Sequence, residues 1–311
     1  MRIKTIKFKL FLGTSGIVVI SFLITISAVG IIARSAVEKA AISDLTHISQ
    51  VEGLRVKSSL DSAYQLAKTL AETYEGIDAF SAAQRRPLIE NQLRELLKRH
   101  PEIQSLWSSW DRNAVDGSDD SFKGVSQATS IGRFNPGLFW LNGIITKEDV
   151  ARPDSDIIKE DWFRIPAETG RTTVLEPYIY TYTEKKEDEQ LVTSIVEPVH
   201  TAAGAFRGMV GVDLGLRDLG KTLSGSKDYT GEKIVLLSNK GMNIVHPDAK
   251  LIGKQFADIE GSEGREILDA IQAGKSYTGR IESKTAGAYS FICTYPIRLG
   301  ESSSPWACCV I

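Results

Sequence analysis

The sequence predicts an α+β protein with an N-terminal transmembrane helix, a long stalk helix and two antiparallel-sheet modules. Three observations support this fold class. A long uncharged run stands near the N-terminus, apolar residues at helical spacing follow it, and the rest of the 311 residues contains two groups of strand-like segments with helices. The composition, 42% hydrophobic and 24% charged, is typical of a folded protein, and the net charge of -2 argues against a nucleic-acid partner.

The first element is a predicted membrane anchor, residues 10–32. Four basic residues precede this uncharged run, which reads LFLGTSGIVVISFLITISAVGII. As a helix it rises about 35 Å, enough for the hydrocarbon core of about 30 Å. A cleaved signal peptide is the alternative, but its apolar region is only about 7 to 15 residues long. Only one basic residue, Arg34, closely follows the run, and the side with more basic residues stays in the cytoplasm. Residues 1–9 are therefore expected in the cytoplasm, and the residues after the span are expected in the periplasm or outside the cell, held at the inner membrane.

A stalk helix is predicted over residues 33–76. From Ala33 to Tyr74 there is no proline and one glycine, Gly53, and the apolar residues recur mostly at spacings of three and four. This stripe packs on the domain that the stalk supports, or it pairs with the same helix of a second subunit. The second alternative predicts a homodimer formed through the stalk.

A first module is predicted over residues 77–216. Ser81 is the expected N-cap of a helix from Ala82 to about Arg99, and a strand from Ile103 to Trp110 follows it. The next loop carries three acids and superficially resembles a calcium loop. Since it lacks the order of acids and the closing glutamate of an EF-hand, it is predicted to be a solvated turn; the acids are Asp116, Asp119 and Asp120.

The end of this module carries the candidate site, from Asp161 to Leu216. A helix-like segment, the strand EPYIYTY, a charged hairpin tip at 184–189, a strand at 191–200 and a strand at 206–214 follow one another. In the last strand the valines alternate with Gly211 and Asp213, so Asp213 projects to the opposite face. Aromatic rings beside a buried acid are features of a ligand pocket, which we expect on that face.

A second module is predicted over residues 217–311. A linker to about Ser226 leads to a hairpin at 232–246, in which His246 is expected to fix a turn. A helix at 258–273 and strands at 277–283, 288–296 and 306–311 complete it. The chain stops at the apolar run PWACCVI, so we expect it to be cut before a second transmembrane helix.

No metal or cofactor is predicted. The four histidines are far apart and show no metal-ligand spacing. Cys293, Cys308 and Cys309 lie in apolar runs and are expected to be core residues. A disulfide between Cys293 and one of the other two is the alternative.

Taken in order, the motifs resemble the double-Cache sensor family, the periplasmic domains of bacterial chemoreceptors and sensor kinases. Besides the anchor and stalk, the matching pieces are DGSDD, GRFNP, DWF at 161–163, EPYIY, EPVHTAAGAFRGMVGVDLGL, KGMNIVHPD, LIGK and PIRLGESSSPW. The resemblance runs from about residue 34 to the end. It implies two PAS-like modules with the ligand in the membrane-distal one, held by Trp162, Phe163, Tyr178 and Asp213.

These residues predict a positively charged ligand. A carboxylate accepts hydrogen bonds from an ammonium group, and aromatic faces attract a cation. Amino-acid-binding members resemble an Arg-x-Trp-Tyr pattern, whereas here Glu160 stands in the arginine position and Phe163 lacks a hydroxyl. Lys159 is a candidate replacement cation without arginine's fork, and Glu160 is a candidate extra anion. The expected ligand is a primary amine, a quaternary amine or an amino acid.

Each candidate also has a purely structural alternative. Trp162 and Tyr178 are alternatively core aromatics, and Asp213 is alternatively the cap of the following helix. Trp107, Trp110 and Trp140 are weaker pocket candidates, and they are expected to pack rather than to contact a ligand.

The predicted function is ligand sensing at a membrane, with signalling through the stalk and chemotaxis as the favoured output. The alternative is the ectodomain of a sensor histidine kinase or a cyclic-dinucleotide enzyme. A membrane-tethered hydrolase is a further class, but GxSxG is absent from the chain, so no enzyme activity is predicted.

Overall fold

A very long helix, α1 (Ile6–Glu75), is the central element of the structure, and two antiparallel sheets pack on it. The computed structural model describes residues 6–148, 153–183, 185–224, 231–300, 302 and 304–311. The predicted anchor and stalk are confirmed as one continuous helix about 105 Å long. Its N-terminal part has an 18-residue window of mean hydropathy 2.6, none of which is buried inside the protein, as a membrane-spanning segment requires.

The first sheet has seven strands in the order β3-β2-β1-β7-β6-β4, with β5 also paired to β6. Its strands are β1 (Ser105–Trp110), β2 (Gly137–Leu141), β3 (Ile144–Lys147), β4 (Thr173–Val174), β5 (Tyr178–Tyr180), β6 (Gln190–His200) and β7 (Phe206–Gly215). The helices beside it are α2 (Ala82–Arg99), α3 (Asp154–Ile157) and α4 (Asp161–Thr169). The predicted hairpin of β5 and β6 is confirmed, although Glu184 at its tip lies outside the described residues.

Local sequence signals fix α2. It begins after Ser81, whose backbone N–H donates to the Gln84 side chain at 3.2 Å, and it ends at Arg99 as predicted. The acidic loop that follows β1 differs from its prediction. Arg86 of α2 is buried and pairs with Asp116 at 2.7 Å and Asp119 at 2.6 Å, so the prediction of a solvated turn is wrong for these two acids.

The second sheet has five strands in the order β10-β11-β12-β8-β9. These are β8 (Ile234–Leu237), β9 (Asn243–Val245), β10 (Thr278–Ser283), β11 (Ala288–Ile297) and β12 (Trp306–Val310), with α5 (Leu216–Ser224) before them and α6 (Phe256–Gln272) among them. The predicted strands and hairpin are confirmed, and the Asp248 N–H donates to His246 Nδ1 at 3.0 Å, which fixes the predicted turn. Over residues 216–224 the predicted link between the modules is the helix α5, while Gly225 and Ser226 lie outside the described residues.

Both sheets share the apolar face of α1. Val210 and Val212 from β7, and Cys308 and Val310 from β12, belong to the same core cluster as the helix. At Gly53 the helix approaches the second sheet so closely that a Cβ would lie 2.6 Å from Cδ1 of Tyr295. The helix therefore connects the two modules mechanically.

The three cysteines are buried and unpaired, as predicted. Burial raises the pKa of the Cys308 and Cys309 thiols, which keeps them in the unreactive protonated form.

Candidate ligand-binding site

A cavity of about 50 Å³ lies on the face of the first sheet that turns away from α1. Its floor comes from β1 and β7, one wall from α4, and the opposite wall from β5 and the segments that flank β2. The lining residues are Trp107, Gln127, Ala128, Asn135, Pro136, Gly137, Glu148, Trp162, Tyr178, Tyr180 and Asp213. Three of the residues that the sequence predicts, Trp162, Tyr178 and Asp213, are thus brought together.

Asp213 is the buried acid of this cavity. The alternation along β7 places Val212 and Leu214 in the core against α1 and turns Asp213 to the other face, as predicted. Its side chain is 2% exposed and accepts three hydrogen bonds from neutral donors. Trp107 Nε1 and Ser194 Oγ donate to Oδ1 at 2.8 and 2.6 Å, and the Tyr182 hydroxyl donates to Oδ2 at 2.8 Å.

The charge of Asp213 has no counterion among the side chains that the structure describes. Among the residues that the structure describes, no lysine, arginine or histidine forms an ion pair with it. Burial raises the pKa of the Asp213 carboxyl, and the hydrogen bonds from Ser194, Trp107 and Tyr182 oppose this shift. A buried carboxylate of this kind attracts a cation, because the cation compensates for the solvation energy that the carboxylate lost when it was removed from water.

Aromatic side chains enclose the carboxylate. The rings of Trp107 and Trp162 meet edge to face with centroids 5.1 Å apart, and those of Tyr178 and Tyr180 are 6.0 Å apart. The Tyr178 hydroxyl lies 2.7 Å from Ser194 Oγ, which in turn donates to Asp213. Two tryptophans and two tyrosines thus surround the space next to Asp213 in which a ligand would bind.

Two glycines make room for the cavity walls. A Cβ at Gly211 would lie 2.0 Å from Cε2 of Trp107, so the indole ring lies directly over β7 at this position. A Cβ at Gly137 would lie 2.7 Å from Oε2 of Glu148, which packs across β2 and accepts a hydrogen bond from the Tyr180 hydroxyl. Without side chains at these positions, Trp107 and Glu148 reach the cavity.

The other predicted site residues lie outside the cavity lining. Phe163 is buried behind it, under the Arg133 guanidinium at 4.7 Å, and Lys159 and Glu160 are exposed at the start of α4. Trp110 is fully buried on the α1 side, with its ring centroid 5.6 Å from that of Tyr74. Trp140 lies at a separate cleft beside Gln104, whose side chain donates to its carbonyl. Trp110 and Trp140 thus lie away from this cavity, and the expectation that they do not contact a ligand stays a prediction.

Sequence reasoning missed several lining residues. Trp107 was only a weaker pocket candidate that was expected to pack, whereas it lines the cavity and its indole N–H donates to Asp213. Glu148, Gln127, Asn135 and Tyr180 were not singled out, although Tyr180 belongs to the predicted strand. The alternation of side chains along β1 was the available signal. Ser105 pairs with Asp213, and Trp107, two residues further along β1, lies on the same face of the sheet as Ser105.

A family model described as Cache domain matches residues 33–311. The chain belongs to the Cache family. It is a ligand-binding sensor domain of the type that chemoreceptors carry, with a candidate membrane-spanning helix before it. Within the described residues, no group of three or more His, Cys, Asp or Glu side chains is arranged to hold a metal ion.

Relatives of this Cache chain are chemoreceptors. The methyl-accepting chemotaxis protein TlpQ of Pseudomonas aeruginosa is 28% identical over 254 residues, which cover 73% of this chain and 34% of TlpQ. The chain thus spans about a third of the length of this curated relative.

Two solved structures share the fold. Methyl-accepting chemotaxis protein X superposes with a TM-score of 0.71 at 22% identity, covering 88% of this chain and 98% of that one. The ligand-binding domain of the Pseudomonas aeruginosa amino-acid chemoreceptor PctC, in complex with GABA, has a TM-score of 0.57 at 19% identity, with 86% and 98% covered.

Proposed function

We propose that the cavity of the first sheet binds a small amine and that the chain is the sensing part of a chemotaxis receptor. One observation carries the ligand class: Asp213 is buried, accepts bonds only from neutral donors, and forms no ion pair with a basic side chain among the described residues. An ammonium group supplies the missing positive charge. Beside it, the faces of Trp107 and Trp162 each add about 0.5 to 2 kcal/mol of cation–π attraction.

We also propose that the ligand needs no carboxylate. The GABA found in the PctC complex carries both an ammonium and a carboxylate group. In the present cavity, no lysine, arginine or histidine is among the lining residues that the structure describes, and Lys159 is exposed at the start of α4. We therefore propose that plain amines bind at least as well as amino acids. The site is a binding site rather than a catalytic one.

A matched four-carbon series tests the ligand class. The full chain in lipid nanodiscs is titrated calorimetrically with n-butylamine, GABA and butyrate, and choline serves as the quaternary amine. We expect butylamine to bind, GABA to bind no more tightly, and butyrate to give no heat. Binding of butyrate, or of GABA without butylamine, would show that the site selects a carboxylate.

Signalling is proposed to run through α1. The two long strands at the cavity, β6 and β7, also pack on the helix through Ile195, Val210 and Val212, and the second sheet packs on it around Gly53. A ligand that orders β7 therefore biases the position of α1, and a coupling of about 1 to 3 kcal/mol is sufficient for a receptor. The similarity to TlpQ supports chemotaxis as the output. The inner membrane is the proposed location, and the four basic residues before the apolar run support a cytoplasmic position for residues 1–9.

The stalk is also the proposed dimer contact. Val37 and Leu54 are apolar side chains of α1 that are exposed in a single chain. A second copy of α1 would cover them in a homodimer. Oxidative cross-linking of a Val37→Cys variant in membranes tests this, since a dimer gives a covalent band of twice the mass and a monomer gives none.

A further inference from the structure

The hairpin of β10 and β11 ends in an exposed tip at one end of the second sheet. Tyr289, on β11, is 67% exposed, and the Lys284 side chain, in the turn, is 64% exposed. The Arg280 guanidinium lies 5.6 Å from the centroid of the Tyr289 ring. An exposed tyrosine and two basic side chains therefore lie at this end of the sheet.

The contacts of β11 fix its direction relative to α1. Cys293 Sγ lies 3.5 Å from Thr46 Oγ1 and 3.7 Å from the carbonyl oxygen of Ile42. Further along β11, Tyr295 meets the helix at Gly53. Strand and helix thus run side by side in the same direction, and the start of β11 points toward the apolar end of α1.

The height of the tip above the membrane follows from these contacts. The apolar run of α1 ends at Ile32, and Ile42 and Thr46 lie about 15 and 21 Å beyond it along the helix. Tyr289 precedes Cys293 by four strand residues, which is about 13 Å back toward that end. The same count from Tyr295 at Gly53, which is about 32 Å beyond Ile32, gives about 12 Å, so Tyr289 is about 2 to 12 Å beyond the hydrocarbon core. The headgroup layer occupies about 5 to 7 Å on each side of that core.

We propose that the tip of the β10–β11 hairpin rests in the headgroup layer of the outer leaflet, with Tyr289 in the interface and Arg280 and Lys284 against lipid phosphates. Tyrosine is enriched at membrane interfaces, where its ring and hydroxyl meet apolar and wet surroundings, and basic side chains extend toward phosphates. The exposed Glu282 lies 3.9 Å from Lys284 and offsets part of the charge. The contact therefore depends more on the position of Tyr289 in the headgroup layer than on the net charge of the tip, and we expect it to persist in 0.5 M salt.

The tip is rigid enough to hold this position. The buried Glu260 of α6 accepts hydrogen bonds from the backbone N–H groups of Lys284 at 2.8 Å and Thr285 at 2.9 Å. These bonds tie the turn to the body of the module. Contact with the bilayer would thus hold the whole second module at a fixed height above the membrane.

Site-specific labelling tests the contact. In the full chain, Tyr289→Cys and Ile179→Cys are labelled with a thiol-reactive fluorophore, which spares the three buried native cysteines. Ile179 is the matched control because it is also 67% exposed but lies in the first sheet. The labelled proteins are placed in nanodiscs with and without lipid that carries a nitroxide on its headgroup.

We expect the nitroxide lipid to reduce the fluorescence of the label at 289 at least twofold and to leave the label at 179 unchanged. A label at Lys284→Cys is expected to behave as the label at 289 does. Equal quenching at 289 and 179 would overturn the proposal. So would a label at 289 that neither the lipid nor soluble iodide quenches, since that result would place a second copy of the chain over Tyr289.

Discussion

Trp107 and Asp213 lie on neighbouring strands, and the indole nitrogen of Trp107 is 2.8 Å from Oδ1 of the carboxylate. The tryptophan therefore has two roles in the cavity, since its N–H stabilises the buried charge while its ring forms part of the aromatic wall. The two functions can be separated by substitutions that change one and leave the other in place.

Replacement of Trp107 by Phe keeps an aromatic face and removes the N–H donor. Burial raises the pKa of Asp213 and the bond from Trp107 opposes this shift, so without the donor the carboxyl takes up its proton more readily, and we expect amine affinity to fall in calorimetric titrations. Trp110→Phe is the control, because Trp110 donates its indole N–H to Ser108 outside the cavity lining. Equal effects of the two substitutions on affinity would contradict the assigned role of Trp107.

Gly211 is required for the position of the Trp107 ring. Gly211→Ala places a methyl group within 2.0 Å of Cε2, so the ring must leave β7, and overpacking of this kind costs about 1 to 3 kcal/mol. We expect lower thermal stability together with lost amine binding. The control is Gly220→Ala in α5, where the nearest atom would be 3.7 Å away and alanine favours the helix. If Gly211→Ala kept wild-type affinity, the ring would not be part of the site.

Amine binding is predicted to weaken at acidic pH. Burial raises the pKa of Asp213 above the ordinary value of 3.8, so the carboxyl takes up its proton at a higher pH than an exposed aspartate does. Protonation removes the charge that the ammonium group requires. Affinity is therefore expected to fall as the pH drops through this raised pKa.

The stability of the ligand-free protein has the opposite dependence. Since folding favours the neutral form of Asp213, its contribution to stability is present at low pH and is lost as the pH rises through the raised pKa. Isothermal titrations and thermal unfolding between pH 4 and 8 would measure both trends. An affinity that is flat across this range would show that Asp213 does not carry the ligand's counter-charge.

Arg86 is predicted to stabilise the first module. It is buried, pairs with Asp116 and Asp119, and lies 3.8 Å from the Phe122 ring centroid. Its replacement by Ala removes the ion-pair partner of both acids, which keep only hydrogen bonds from backbone N–H groups, so we expect a loss of about 3 to 5 kcal/mol in the free energy of unfolding by denaturant.

The matched control for Arg86→Ala is Arg164→Ala. Arg164 also pairs with two acids, Asp161 and Glu168, but all three side chains are exposed to solvent. A loss below about 1 kcal/mol is expected there. Similar losses for the two arginines would contradict the structural role given to the buried ion pairs.

Local signals predicted much of the fold. The ends of α2 were predicted correctly because Ser81 begins it and Pro101 follows it, and the side of β7 that carries Asp213 follows from simple alternation. The partners of Arg86 were not predictable in the same way, since Asp116 and Asp119 are 30 and 33 residues away. Their pairing depends on how the loop after β1 folds back on α2.

The composition of the cavity depended on strand pairing. Trp107 enters the site because β1 pairs with β7 in a register that sets it opposite Gly211. Glu148 enters because it follows β3 and packs across Gly137 of the paired strand β2. Neither register can be read from a single segment, so the predicted site contained Asp213, Trp162 and Tyr178 without these neighbours.

Amine binding in the cavity is proposed to depend on the charge of Asp213, and the substitution Asp213→Asn tests this dependence most directly. The substitution removes the charge and retains the shape of the side chain, and because burial disfavours the charged form, the fold is expected to persist. The measurement is the affinity for n-butylamine by calorimetry, with Asp161→Asn at the exposed start of α4 as the control. We predict a loss of at least tenfold for Asp213→Asn and none for the control. Unchanged affinity in a folded Asp213→Asn protein would contradict the account.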